Sequence, residues 1–117
     1  MNRLVYKKYK NCEDILSIDL HNGYTILAIK GWDRNNHTYI VEFRIKENSV
    51  DKWDLINNTE SLIFHVNRNT INSAILKQVS AFWEEGFFDY YIQRYEYELK
   101  CFNKGNDFFE EKRLGGK

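Results

Sequence analysis

A chain of 117 residues without a single proline has room for one domain and excludes a linker-rich, multidomain design. Its apolar content of 43%, with 16% aromatic residues, excludes a disordered chain. Lys and Arg number 17 against 17 Asp and Glu, which excludes a global electrostatic pull toward nucleic acid or an anionic membrane. The one dense basic run, Arg3 with Lys7, Lys8 and Lys10, reads as a solvated strand face or chain end.

Leu4, Val5, Tyr6 and Tyr9 fit either a first strand or a helical lead-in. From Ile15 the pattern sharpens: Leu16, Ile18 and Leu20 alternate with Ser17 and Asp19, as a half-buried strand requires. Asn22-Gly23 then predicts a two-residue type I′ hairpin turn. This register sets Ile18 opposite Leu27 and Leu16 opposite Ile29 on one buried face. A third strand covers about Thr38 to Lys46, with Tyr39, Val41, Phe43 and Ile45 inward. A three-residue loop, Arg34-Asn35-Asn36, joins it to the second strand, with Asn36 in the left-handed position and Leu27 facing Phe43. Between Glu47 and Asn58 the period changes, and Val50, Trp53 and Ile56 predict a short helix capped by Asn48 or Ser49. Leu62, Phe64 and Val66 mark another strand. Ile71, Ile75, Val79 and Phe82 mark an amphipathic helix that Gly86 terminates.

The stretch from Gly86 to Arg113 is the element around which the rest is arranged. Phe88, Tyr91, Ile92, Tyr95, Leu99 and Phe102 share a helical stripe that predicts contact with the core. At Gly105 the helix either stops near Asn103 or runs through the glycine at about 1 kcal/mol relative to Ala; the favoured reading is a break or kink, after which Asp107 and Glu110 cap a fresh turn and Phe108 and Phe109 dock back on the domain. The expected fold class is α+β: an antiparallel β-meander followed by two or three helices packed on one face of the sheet. It forms one domain over 1–117, sheet-rich over 1–66 and helical over 69–113, with a frayed tail at 114–117. Strands come first and the long helices last.

Chemistry-bearing motifs are sparse. His21, His37 and His65 sit on separate elements without the spacing of common metal sites, so no metal and no cofactor is expected. No glycine-rich phosphate loop of the GxxxxGK type occurs. The best enzymatic arrangement places Ser17, Ala28 and Glu42 in one sheet row and Asp19, Ile26 and Arg44 in the next. An acidic pair beside an arginine, built on Asp19 and Glu42, would suit a small metal-dependent nuclease. A solvent-facing sheet laced with cross-strand ion pairs produces the same pattern and is the simpler reading. The expectation is therefore a non-enzymatic protein.

A second stripe points to binding. Tyr90, Arg94, Tyr97 and Cys101 line up roughly opposite the core stripe of the long helix, with Phe87 near its edge. Tyr and Arg are enriched at interface hot spots. Two readings stand: the stripe docks a partner, or the 107–113 segment folds over it and makes it core. Asp89, Glu96 and Glu98 on the same helix argue against direct binding of nucleic acid there.

The opening MNRLVYKKYK lacks an apolar core of signal-peptide length, and no stretch approaches the ~18 consecutive apolar residues of a membrane span. Cys12 and Cys101 are then expected as reduced thiols of a cytoplasmic protein.

Asn, Lys, Ile, Tyr and Phe are abundant and Pro is absent. With the segments KKYKNCEDILSIDL and FFDYYIQRYEYELKCF, this resembles small accessory proteins of phages and mobile elements in low-GC Gram-positive bacteria. The resemblance implies action by binding a host protein, as anti-CRISPR inhibitors do, with a CRISPR effector such as Cas9 as one such partner and the host cytoplasm as the location. DNA-mimic inhibitors of that kind are strongly acidic. A neutral chain would need specific docking or allosteric interference instead. A phage structural or regulatory adaptor and a homodimer with paired helices remain alternatives.

Overall fold

The computed structural model describes the backbone of residues 3–50 and 57–115 and the side chains of 3–50 and 58–102. Five strands come first: β1 (Tyr6–Tyr9), β2 (Cys12–Asp19), β3 (Tyr24–Asp33), β4 (Thr38–Glu47) and β5 (Asn57–Phe64). Two helices follow, α1 (Ile71–Glu84) and α2 (Phe87–Gly115). The strands form one antiparallel meander in the order β1-β2-β3-β4-β5. The α+β class and the helices on one sheet face agree with the sequence. The ambiguous opening segment is a strand. The proposed helix with Val50, Trp53 and Ile56 falls largely outside the described residues, while Asn57 and Asn58 belong to β5.

Both predicted hairpin registers are off by one residue, and the physical reason lies in the turns. Asp19 pairs with Thr25, Ile18 with Ile26 and Ser17 with Leu27. Leu20 N–H donates to the Tyr24 carbonyl at 3.0 Å, so the loop holds three residues, His21-Asn22-Gly23. Asp19 Oδ1 accepts the His21 N–H at 2.8 Å, and Asn22 Oδ1 accepts that of Tyr24 at 3.1 Å. These side-chain bonds offer the backbone an alternative to the tighter turn. The two-residue turn with positive φ at both positions occurs instead at Lys10-Asn11, between the paired Tyr9 and Cys12.

At the next hairpin Asp33 pairs with Thr38 around a four-residue loop, and His37, not Asn36, takes the left-handed position at φ 52°. The Asp33 carboxylate closes it, accepting from the Asn35 N–H at 3.0 Å and the Asn36 amide at 2.8 Å.

The two slips turn over β3 alone. Its inward residues are Ile26 and Ala28, beside Leu16 and Ile18 of β2 and Phe43 and Ile45 of β4, all buried. Leu27 is buried on the opposite face, between Ser17 and Arg44 in register. At Gly23, φ is +92° and a Cβ would meet no atom within 4 Å, so backbone strain alone decides the effect of substitution. Gly23→Val is expected to lower the melting temperature, costing about 1–2 kcal/mol, with Gly23→Asn costing less. Equal melting of both variants and wild type would contradict the left-handed assignment.

Helix α1 buries Ile71, Ile75 and Val79, and Gly86 after it has φ +74° and donates its N–H to the Trp83 carbonyl at 3.1 Å, as expected of a helix-ending glycine. Helix α2 runs without a break through Gly105 to Gly115, so the favoured break and renewed cap do not occur. A glycine inside a helix costs only about 1 kcal/mol relative to Ala, which neighbouring turns can offset. The docking of Phe108 and Phe109 concerns side chains outside the described residues.

An aromatic chain joins the layers. Phe43 meets Phe82 edge-on at 6.3 Å between ring centres, Phe82 stacks on Phe87 at 4.3 Å, and Phe87 leans on Tyr91 at 5.2 Å. Such pairs contribute about 0.5–1.5 kcal/mol each beyond the area they bury.

Candidate partner-binding helix

Because α2 has 29 residues, at a rise of about 1.5 Å per residue it is about 43 Å long. Its first half rests on the domain: Phe88, Ile92 and Tyr95 are buried in the common core. Near Tyr95 it passes the end of the sheet. Tyr24, the first residue of β3, meets the Tyr95 ring edge-on at 6.4 Å and donates its hydroxyl to Glu96 Oε1 at 2.7 Å. Beyond that contact the apolar stripe continues without a partner among the described residues. Leu99 is 36% and Phe102 64% exposed. Both were expected in the core. The stripe has the right period, but the sheet ends beneath it.

The second stripe is also exposed. Tyr90 is 62% and Tyr97 68% exposed, and Arg94 and Cys101 lie on the surface. Segment 107–113 continues the same helix, so it does not fold over these residues. Phe87 differs from the rest: it is half-buried within the aromatic chain and supports the stripe from below. The ring of Tyr90 meets Tyr91 edge-on at 5.2 Å, which ties the exposed stripe to that chain. Arg94 Nε donates to Glu98 Oε1 at 3.1 Å, one helical turn on. The Cys101 thiol beside Tyr97 holds its phenol above the ordinary range. Exposed Tyr97, Leu99 and Phe102 thus surround the projecting half of α2, while Tyr90 and Arg94 carry the tyrosine stripe back over the half that rests on the domain, beside half-buried Phe87.

The carboxylate arrangement does not form. In the observed register Asp19 shares a row with Thr25 and Lys46, while Glu42 pairs with Ile29 two open-face rows away. Asp19 is engaged by the His21 N–H, and Glu42 Oε1 bonds Arg44 at 3.0 Å. Among the described residues no group of three or more His, Cys, Asp or Glu side chains is placed to hold a metal. Nor is any described helix long and apolar enough to cross a membrane. Sequence reasoning missed two cavities on the helix-bearing side of the sheet. One of them brings together His37 and His65, from elements far apart in sequence.

Burial, and then the hydrogen bond to Glu96, raise the ionisation of Tyr24 above the ordinary tyrosine value of about 10. Burial raises that of Tyr95 as well. A phenol that ionises later in the folded chain than in the unfolded one contributes its full stabilisation below about pH 10 and loses it as the pH rises toward the folded value. The melting temperature should therefore fall above about pH 10, and fall less steeply in Tyr24→Phe, which costs about 1 kcal/mol at neutral pH through the lost bond to Glu96. Parallel pH profiles for the two proteins would contradict this.

Comparison with known proteins adds no identity to this site: no family model, no curated protein and no solved structure matches the chain.

Proposed function

We propose that this protein acts by protein–protein contact, with α2 as the docking element. The observation that carries the reading is the position of the apolar stripe: it continues past the end of the sheet as exposed Leu99 and Phe102. An amphipathic helix whose apolar face has run out of its own domain is suited to a groove on another protein. The tyrosine stripe on the other side adds large, rigid contact surface with polar tips, the composition favoured at binding hot spots. Together the two stripes let a partner grip the helix from more than one side.

The resemblance to phage and mobile-element accessory proteins gives this docking a direction: a host protein is bound and hindered, and a defence nuclease such as Cas9 is the specific case. With a net charge of zero, recognition would rest on shape and aromatic contact rather than on mimicry of DNA charge. Affinity capture by the wild-type chain and by one carrying Leu99→Ser with Phe102→Ser tests the reading. A partner retained by the first and lost by the second supports it. A partner held equally by both would remove the projecting half of α2 from the interface.

A further inference from the structure

Lysine is the odd residue on the inward face of the central strand. Along β3 that face carries Tyr24, Ile26, Ala28, Lys30 and Trp32, and Lys30 pairs in register with fully buried Val41. An aliphatic side chain would fill this position without the cost of removing an ammonium group from water. Its Nζ donates to a neutral amide, Asn72 Oδ1 of α1, at 2.7 Å, rather than to a carboxylate. That burial holds the lysine below its usual ionisation range, although Asp14 and Glu13 pull the other way.

Lys30 opens into a cavity of about 500 Å³ between the sheet and the first turn of α1. Lys7, Lys8, Lys30 and Arg68 line it against only Glu13 and Asp14, and Lys8 is already paired with Glu13 at 3.1 Å. The cavity is therefore net positive in a chain that is neutral overall. Tyr39, on its wall, meets the Trp32 ring edge-on at 4.8 Å. Trp32 in turn lines a second cavity, of about 550 Å³, together with His37, His65 and Thr70. Both cavities border the same turn before α1, through Asn67 and Thr70 on one side and Arg68 on the other.

Trp32 is 48% exposed, although Ala28 and Ile26, four and six residues back on the same face, are sealed in the core. A half-exposed indole is a stacking platform for a planar ring, and base stacking on an aromatic side chain tolerates any base. Residues two apart on a strand face are about 6.6 Å apart. The phosphate of a nucleotide lies at a comparable distance from its base.

We propose that the two adjoining cavities form one binding site for a nucleoside monophosphate, with the phosphate held by Lys30 and Arg68 and the base stacked on Trp32. The site lies at the opposite end of the fold from the projecting half of α2 and does not depend on the docking function.

Amide and indole chemical shifts of the full ¹⁵N-labelled chain, followed at constant ionic strength, test this with AMP, adenosine, inorganic phosphate and acetate. AMP should produce saturable shifts at Lys30, Trp32, Arg68 and Asn72. Phosphate should bind the same lysine end more weakly, and acetate weaker still. Lys30→Met should weaken AMP by about tenfold or more, the usual loss for one hydrogen bond to a charged group. Trp32→Ala should bring AMP down to the affinity of phosphate, and Lys77→Met, on the exposed side of α1, should change nothing. Arg68 is on the surface, so Arg68→Ala keeps the test decisive even if Lys30→Met fails to fold. Shifts that never saturate, AMP affinity unchanged in Arg68→Ala or Trp32→Ala, or acetate binding as tightly as phosphate would each overturn the assignment.

Discussion

Phe88→Ala is expected to lower the stability of the fold by about 3–5 kcal/mol, the cost of emptying a buried phenylalanine site. The residue is 1% exposed. Its ring meets Phe82 of α1 edge-on at 5.8 Å, and Phe82 in turn meets Phe43 of β4. One side chain thus connects both helices and, through a single intermediary, the sheet. Relaxation into the vacated space is opposed because the neighbouring rings are already fixed by one another, Phe82 against Phe87 above all. Domains of this size hold about 5–15 kcal/mol in total, so the loss removes a large fraction of stability. Phe102→Ala, on the same stripe of the same helix but exposed, is expected to stay within about 0.5 kcal/mol of wild type. Urea unfolding of the two variants checks the contrast. Similar losses for both would mean that the distal half of α2 is packed against the domain after all.

The second large effect is on association. Tyr90→Ala combined with Tyr97→Ala is expected to abolish partner binding, each tyrosine accounting for about 2 kcal/mol if it is a hot spot. Stability should move by only about 0.5 kcal/mol, because both rings stand largely in solvent, where Tyr90 meets the edge of Tyr91 and the Arg94 side chain and Tyr97 meets the Cys101 thiol. Arg94 stays in its ion pair with Glu98 in the variant, so the helix surface is otherwise preserved. Sedimentation of the purified chain separates two occupants: a self-associating wild type and a monomeric variant would identify a second copy of the chain as the partner. A variant that unfolds, with no separate effect on binding, would return the tyrosine stripe to the fold and withdraw it as a site.

These residues also mark what could be read from the sequence and what could not. The inward faces of β2 and β4 were legible because each alternates cleanly, Leu16-Ser17-Ile18-Asp19 in one and Val41-Glu42-Phe43-Arg44 in the other. In β3 the run Ile26-Leu27-Ala28-Ile29 is apolar at every position, so its pattern cannot say which parity faces inward. The turns had to decide, and Asp19 and Asp33 accept backbone bonds that lengthen each loop by one residue. A slip of one residue exchanges the faces of β3, and the two slips together leave Asp19 and Glu42 on the same open face but two rows apart instead of one, so the proposed carboxylate arrangement dissolved. In α2 the period was legible over the whole stripe. Where the supporting sheet stops was not, since that depends on strand placement rather than on the helix's own residues. The cavity at Lys30 was invisible for the same reason: its walls come from β1, β2, β3, β4 and α1.

The most direct measurement places a photo-crosslinking amino acid at position 97 on α2 and, in a separate chain, at position 63 on the open face of the sheet, where Ile63 is 63% exposed. Binding through α2 predicts a covalent adduct with the partner from position 97 and none from position 63. An adduct from position 63 alone would place the interface on the sheet and contradict the assignment of α2 as the docking element.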